Sequence, residues 1–226
     1  RVYLFRDHEE VWSTRAVVGQ TYRKTPVFRS EMRYLVFNPD WTVPYSIATK
    51  DILPRVQRDT GYLAAGNYIV KDRNGDIVDP SNIEWASLGK GNFPYTLVQQ
   101  PGTNNALGEI KFMFPNDHAI YLHDTPAHGL FKKEQRAFSH GCIRMGRPAE
   151  MAAWVLGGEE KGWSLARVNE IIAGHKRQVV VLDQPVPVYI LYRTAFVNPE
   201  NHTLYFYEDI YGRDKLLAKA LFGPGN

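Results

Sequence analysis

Short apolar alternations bounded by turn residues recur along most of the chain. Residues 1–6 (RVYLFR) alternate, and residues 10–19 (EVWSTRAVVG) resume strand character after Asp7-His8-Glu9, so the two runs read as a β-hairpin. Residues 21–30 are polar, contain Pro26 and read as a connection. A further strand covers Met32–Phe37, and Asn38-Pro39 ends it. Between residues 44 and 108 the composition shifts to Gly, Pro, Asn and Asp. One helix is expected there over 49–60, capped by Thr49, with a hairpin at 67–70 and 76–78 around Asp72-Arg73-Asn74-Gly75. The Gly-rich stretch 87–95 (SLGKGNFPY) has neither GxGxxG nor P-loop spacing and reads as a solvated loop.

Strands follow at Gly108–Phe114 and Ala119–Leu122, joined through Pro115-Asn116-Asp117-His118. Helices are expected at 147–156, with Pro148 in the first turn, and at 164–173, with Ser164 as cap and Gly174 as stop. The remaining strands are 178–182, 186–197 and 203–207, the last two paired across Asn198–Asn201, and a helix over 215–222 closes the chain. Many strands with few short helices predict a mainly β protein of sandwich type, with residues 44–108 as an inserted α/β subdomain.

Composition narrows the classes further. The 226 residues are 44% hydrophobic and 13% aromatic, ample for a sizeable core. A net charge of +3, scattered along the chain, implies neither a nucleic acid nor a membrane surface as partner, and no run of 18 apolar residues offers a transmembrane helix. The chain starts inside a strand pattern without Met or a signal sequence, so a fragment or processed form is expected.

The chemistry concentrates at residues 121–145. Cys142 is the single cysteine, so it cannot form an intramolecular disulfide; a packed thiol, a metal ligand or a nucleophile remain. Ser139, His140 and Gly141 before it, and Arg144 after it, are polar and basic company for an inert thiol, which favours the nucleophile. Gly141 permits a positive φ, so amides at Gly141 and Cys142 can converge as an oxyanion hole. His123 ends an apolar strand and is the expected base, able to favour the thiolate. Its far ring nitrogen is held either by the Asp124 carboxylate or by a backbone carbonyl. The helix beginning near Pro148 adds a positive end close to the thiol.

Arg144, two residues beyond Cys142, suits a substrate carboxylate or a structural ion pair. Tyr121 should face the same side as His123, and Trp41 and Trp85 either stack on substrate or fill the insertion's own core. His118, His123, Asp124, His128, His140 and Cys142 are possible metal ligands, yet no HExxH or CxxC spacing occurs and the SHGC context fits a nucleophile better. No metal and no cofactor are expected.

The order HDT, a spacer, then SHGCIR after a strand resembles the signature of the L,D-transpeptidases, the YkuD-type enzymes that remodel peptidoglycan. Trp41-Thr-Val-Pro44, the long insertion and the closing YGRDKLLAKALFG are similar to the large Gram-negative branch with a lid inserted in the catalytic domain, so the resemblance spans the chain. Asp124 stands where many relatives have Gly or Ser. The resemblance implies a periplasmic enzyme that acylates its Cys with a tetrapeptide stem, releases the terminal D-Ala and forms a 3→3 cross-link. It also implies covalent inhibition by carbapenems. Catalytic roles then fall to Cys142, His123, Asp124 and Gly141, and substrate contacts to Tyr121, Ser139, His140, Arg144 and Trp41. An L,D-carboxypeptidase on the same Cys and His, or a silent peptidoglycan-binding module, are the alternatives.

Overall fold

Two apolar cores, one under each of two sheets, organise the chain. The structure is a computed structural model that describes residues 1–197 and 201–223; the turn expected at 198–201 falls mostly outside them. Strands β1 (Val2–Arg6) and β2 (Glu9–Thr14) form the expected hairpin, with Asp7 and His8 at φ of 50° and 71°. Two successive positive φ values match the twist of the flanking strands. β3 (Ala16–Gly19) and β4 (Phe28–Phe37) follow. β4 begins earlier than its apolar run because its polar first half pairs with a late strand.

The next region builds a sheet of its own. β5 (Trp41–Thr42), β6 (Tyr68–Lys71), β7 (Ile77–Val78) and β8 (Thr96–Gln99) lie in the order β5-β8-β6-β7. Helical turns α1 (Tyr45–Ile47), α2 (Leu53–Val56) and α3 (Tyr62–Ala65) pack on it, with a π-helical stretch Ala48–Ile52 joining the first two. Helical geometry thus starts a turn before the sequence suggests. Thr49 sits inside it, its hydroxyl donating to the Tyr45 carbonyl at 2.9 Å rather than capping an end. Ile52, Leu53, Val56, Leu63, Val70, Trp85 and Leu97 are buried together in this unit's own core, so Trp85 is a packing residue.

β9 (Ile110–Met113), β10 (Leu122–His123), β11 (Ala137–Ser139) and β12 (Ile143–Met145) return to the large sheet, followed by α4 (Pro148–Val155), α5 (Leu165–Ala173) and β13 (Gln178–Ile190). Its order is β11-β3-β12-β10-β9-β4-β13, with β10 parallel to β12 and antiparallel to β9. One face buries Leu35, Phe37, Phe112, Leu122 and Ile143 against Met151, Ala152 and Leu156 of the α4 region, Val168 and Ile172 of α5, and Trp12 of the hairpin. Each such side chain contributes about 1.5–3 kcal/mol on burial, which pins the register of β9, β10 and β12. Ser164 caps α5, its hydroxyl accepting from the Arg167 N–H at 3.2 Å.

Toward the C-terminus two expectations change. Residues 178–190 form one strand with an irregularity between Val181 and Val186, not two strands, and its edge position tolerates Pro185 and Pro187. The strand expected over 186–197 breaks at 191–194, and the short hairpin β14 (Ala195–Val197) and β15 (Leu204–Phe206) precedes α6 (Arg213–Phe222).

Candidate active site

Because Phe112, Leu122 and Ile143 point into the core, their neighbours along each strand point the other way. In the observed register Lys111 lies opposite His123, and His123 lies opposite Arg144. Three side chains therefore stand abreast on β9, β10 and β12. Tyr121 and Cys142 precede His123 and Arg144 by two residues each, so they share that face as the adjacent row. The Ile143 N–H donates to the Tyr121 carbonyl at 3.2 Å and locks these rows together.

His123 is buried, and its Nδ1 is 2.5 Å from the backbone carbonyl of Asp124. A carbonyl only accepts, so Nδ1 carries the proton and Nε2 keeps its lone pair. Burial, with the nearby Arg144 charge second, lowers the His123 pKa to about 3, so the ring is neutral across the physiological range. The Asp124 carboxylate does other work: Oδ2 accepts from the Glu109 N–H at 3.0 Å, and burial raises its pKa. Gly108, at φ 63°, lets the chain pass this carboxylate; a Cβ there would come within 2.3 Å of Oδ2.

Cys142 sits on a clamped turn. Gly141 takes φ of 118°, and its N–H donates to the Ser139 hydroxyl at 3.1 Å while that hydroxyl donates to the Cys142 carbonyl at 2.6 Å. Behind the turn the Thr25 hydroxyl donates to the Gly141 carbonyl at 2.8 Å, and the Tyr211 hydroxyl, buried among the same groups, donates to the Gly19 carbonyl at 2.6 Å. The half-buried thiol is 3.7 Å from the Ala119 carbonyl. Burial raises its pKa; hydrogen bonds with Tyr121 and the charges of Lys111 and Arg144 oppose that shift without reversing it. The thiolate expected from the sequence is therefore not the resting form. The helix expected to help lies beyond β12, which carries the chain away from the thiol before α4 begins.

A model of the L,D-transpeptidase catalytic domain, the YkuD family, matches residues 1–188. The chain belongs to the L,D-transpeptidase family. A Haemophilus influenzae protein named as a candidate L,D-transpeptidase is 37% identical over 220 residues, 97% of this chain and 44% of that protein. The chain thus spans less than half the length of this curated relative. Membership makes it a member of an enzyme family.

In this L,D-transpeptidase family member the second sheet contributes to the rim of the site. Tyr121 lies beside Cys142 and Trp41, and burial raises its pKa. His140 points outward, its Nε2 3.3 Å from Asp51 Oδ2 on the π-helical stretch. Arg144 lines a groove of about 420 Å³ with Tyr68, Gln99, Ala106 and Thr125, and its buried Nε has no hydrogen-bond partner among the described residues.

Other histidines lie elsewhere: His118 packs on Phe28, at 5.4 Å between ring centroids, and His128 on Phe131. Among the described residues no three His, Cys, Asp or Glu side chains converge as a metal site would require, and no helix is long and apolar enough to cross a membrane. Two residues absent from the sequence reading join the site. Thr25 supports the nucleophile turn, and Lys111 places its ammonium 4.0 Å from the centre of the Tyr121 ring.

Proposed function

We propose that the chain is a peptidoglycan L,D-transpeptidase that forms 3→3 cross-links through an acyl-enzyme on Cys142. The observation that carries this reading is the shared sheet face, where His123 on β10, its Nδ1 committed to a carbonyl, and Cys142, just before β12, lie in adjacent rows. Thiol and imidazole rest neutral, so the thiol is deprotonated as it attacks. Rotation about the Cys142 Cα–Cβ bond takes Sγ from the Ala119 carbonyl toward Nε2, which accepts its proton. The thiolate adds to the carbonyl joining diaminopimelate to the terminal D-Ala of a tetrapeptide stem.

The oxyanion meets the Cys142 N–H, since the Gly141 N–H is spent on Ser139. His123 then gives its proton to the departing amine, the C–N bond breaks, and a thioester remains. A second stem's diaminopimelate amine attacks the thioester with His123 again as base, the C–S bond breaks as the amide forms, and Cys142 leaves as a thiol with the proton returned by His123. The sheet strands carrying Tyr68 and Gln99, within the 44–108 insertion, act as the lid that keeps water from the thioester. The reading calls for no cofactor, and it carries with it what the family resemblance implies, a periplasmic enzyme whose Cys142 is acylated by carbapenems.

Incubation with purified disaccharide-tetrapeptide tests the reading by mass spectrometry of the products. A dimer lighter than two monomers by one D-Ala is expected. Tripeptide without dimer would make the enzyme a carboxypeptidase on the same residues, and recovery of intact tetrapeptide would point to a silent binding module.

A further inference from the structure

Lys111 is a buried-stemmed cation that the mechanism above leaves without work. It stands directly across from His123 on β9, one strand spacing of about 4.8 Å from it, while Arg144 stands one spacing away on the other side. Its ammonium is fixed over the Tyr121 ring, and that ring is 5.5 Å from the His123 ring, centroid to centroid. Asp40 is the carboxylate whose charge Lys111 senses, but Asp40 is engaged by Arg177 Nε at 2.7 Å. No ion pair of Lys111 is present among the described residues.

We propose that Lys111 receives the free C-terminal carboxylate of the donor peptide, the group that departs with D-alanine, and so selects donors that end one residue beyond the scissile bond. This rests on the transpeptidase reading of Cys142 and His123. The direction follows from the order of the strands. The attacked carbonyl must lie over Cys142, just before β12, and the leaving nitrogen must lie at His123 on β10, where it collects its proton. In an α-amino acid the carboxylate carbon is about 2.5 Å from that nitrogen. Beyond His123 the substrate's next charged group arrives at β9, where Lys111 holds its ammonium over the Tyr121 ring, level with Cys142. A longer peptide would present a neutral amide there instead.

The physical state of Lys111 agrees with this role. Burial lowers its pKa, so its charge has lost part of its hydration and lacks an anionic partner that would compensate. A carboxylate arriving within hydrogen-bonding distance restores that compensation, and one such charge-assisted bond corresponds to about 10- to 100-fold in affinity.

The test uses a tetrapeptide donor and its C-terminal carboxamide, measured by calorimetry against Cys142→Ala protein, which cannot turn either over. The acid should bind about 10- to 100-fold more tightly than the amide. Adding Lys111→Met, which keeps an apolar stem against Tyr121, should drop the acid to the level of the amide and leave the amide unchanged. Lys111→Arg should recover most of the preference. Equal binding of acid and amide by the parent protein would overturn the proposal, as would a Lys111→Met protein that still discriminates or that loses both ligands equally. Because binding is read without turnover, a failure of transpeptidation in the wild type is distinguishable from a failure of Lys111 to read the carboxylate.

Discussion

Replacement of Cys142 by alanine abolishes cross-linking while the protein stays folded. The thiol supplies the only bond to the acyl group in the mechanism, and loss of such a nucleophile costs on the order of 10⁴-fold or more. Its removal leaves the clamps of the turn intact, since Ser139, Gly141 and Thr25 hold it through backbone groups and hydroxyls. Circular dichroism and the thermal midpoint should therefore remain near the wild type, while the dimer product disappears. Cross-linking within tenfold of wild type would show that another residue carries the acyl group.

His123→Asn has the second largest effect. Asn can place an N–H near the position of Nδ1 and so keep a donor for the Asp124 carbonyl, but it offers no base, and turnover should fall by about 10²- to 10⁴-fold. The same substitution alters acid stability in a direction fixed by the lowered pKa. Above the unfolded value of 6.5 both states hold the ring neutral, and the folded protein has its full stability. Below 6.5 the unfolded chain takes up a proton that the folded protein refuses down to about 3, so stability falls by about 1.4 kcal/mol per pH unit in that window. Denaturant titrations between pH 6.5 and 4 should show a shallower decline in His123→Asn than in wild type. An equal slope in both would mean that His123 protonates freely in the folded state.

How far the sequence led depended on whether a contact was local or was made by strand pairing. His123 and Cys142 were legible because each sits in an unmistakable local context, an apolar strand end and an SHGC turn. The choice between the Asp124 carboxylate and its carbonyl was not, since both groups belong to one residue and only the path of the chain past Gly108 and Glu109 separates them. Lys111 was hidden by a register of one residue. A turn at 115–118 pairs residue 114 with 119 and would set Ile110 against His123, whereas the observed pairing sets Lys111 there and Ile110 in the core. A shift of one position exchanges the faces of a whole strand.

The resting state of the thiol needed the structure as well. A nearby imidazole and a helix start suggested a thiolate in the sequence, but burial outweighs the charges of Lys111 and Arg144 at Cys142 and leaves the neutral form. By contrast, the mainly β architecture followed from alternation and turn residues, which depend on near neighbours. Thr49 was misplaced as a cap because Pro44, at the actual start of α1, provides no side-chain hydrogen bond to mark it.

The measurement closest to the central claim is the intact mass of the protein during turnover of disaccharide-tetrapeptide without a competent acceptor amine, followed by peptide mapping. A covalent adduct equal to the donor acyl group, the substrate less its terminal D-alanine, should accumulate on the peptide containing Cys142 and be absent from Cys142→Ala. Product formation with no such adduct, or an adduct on a different residue, would contradict the account.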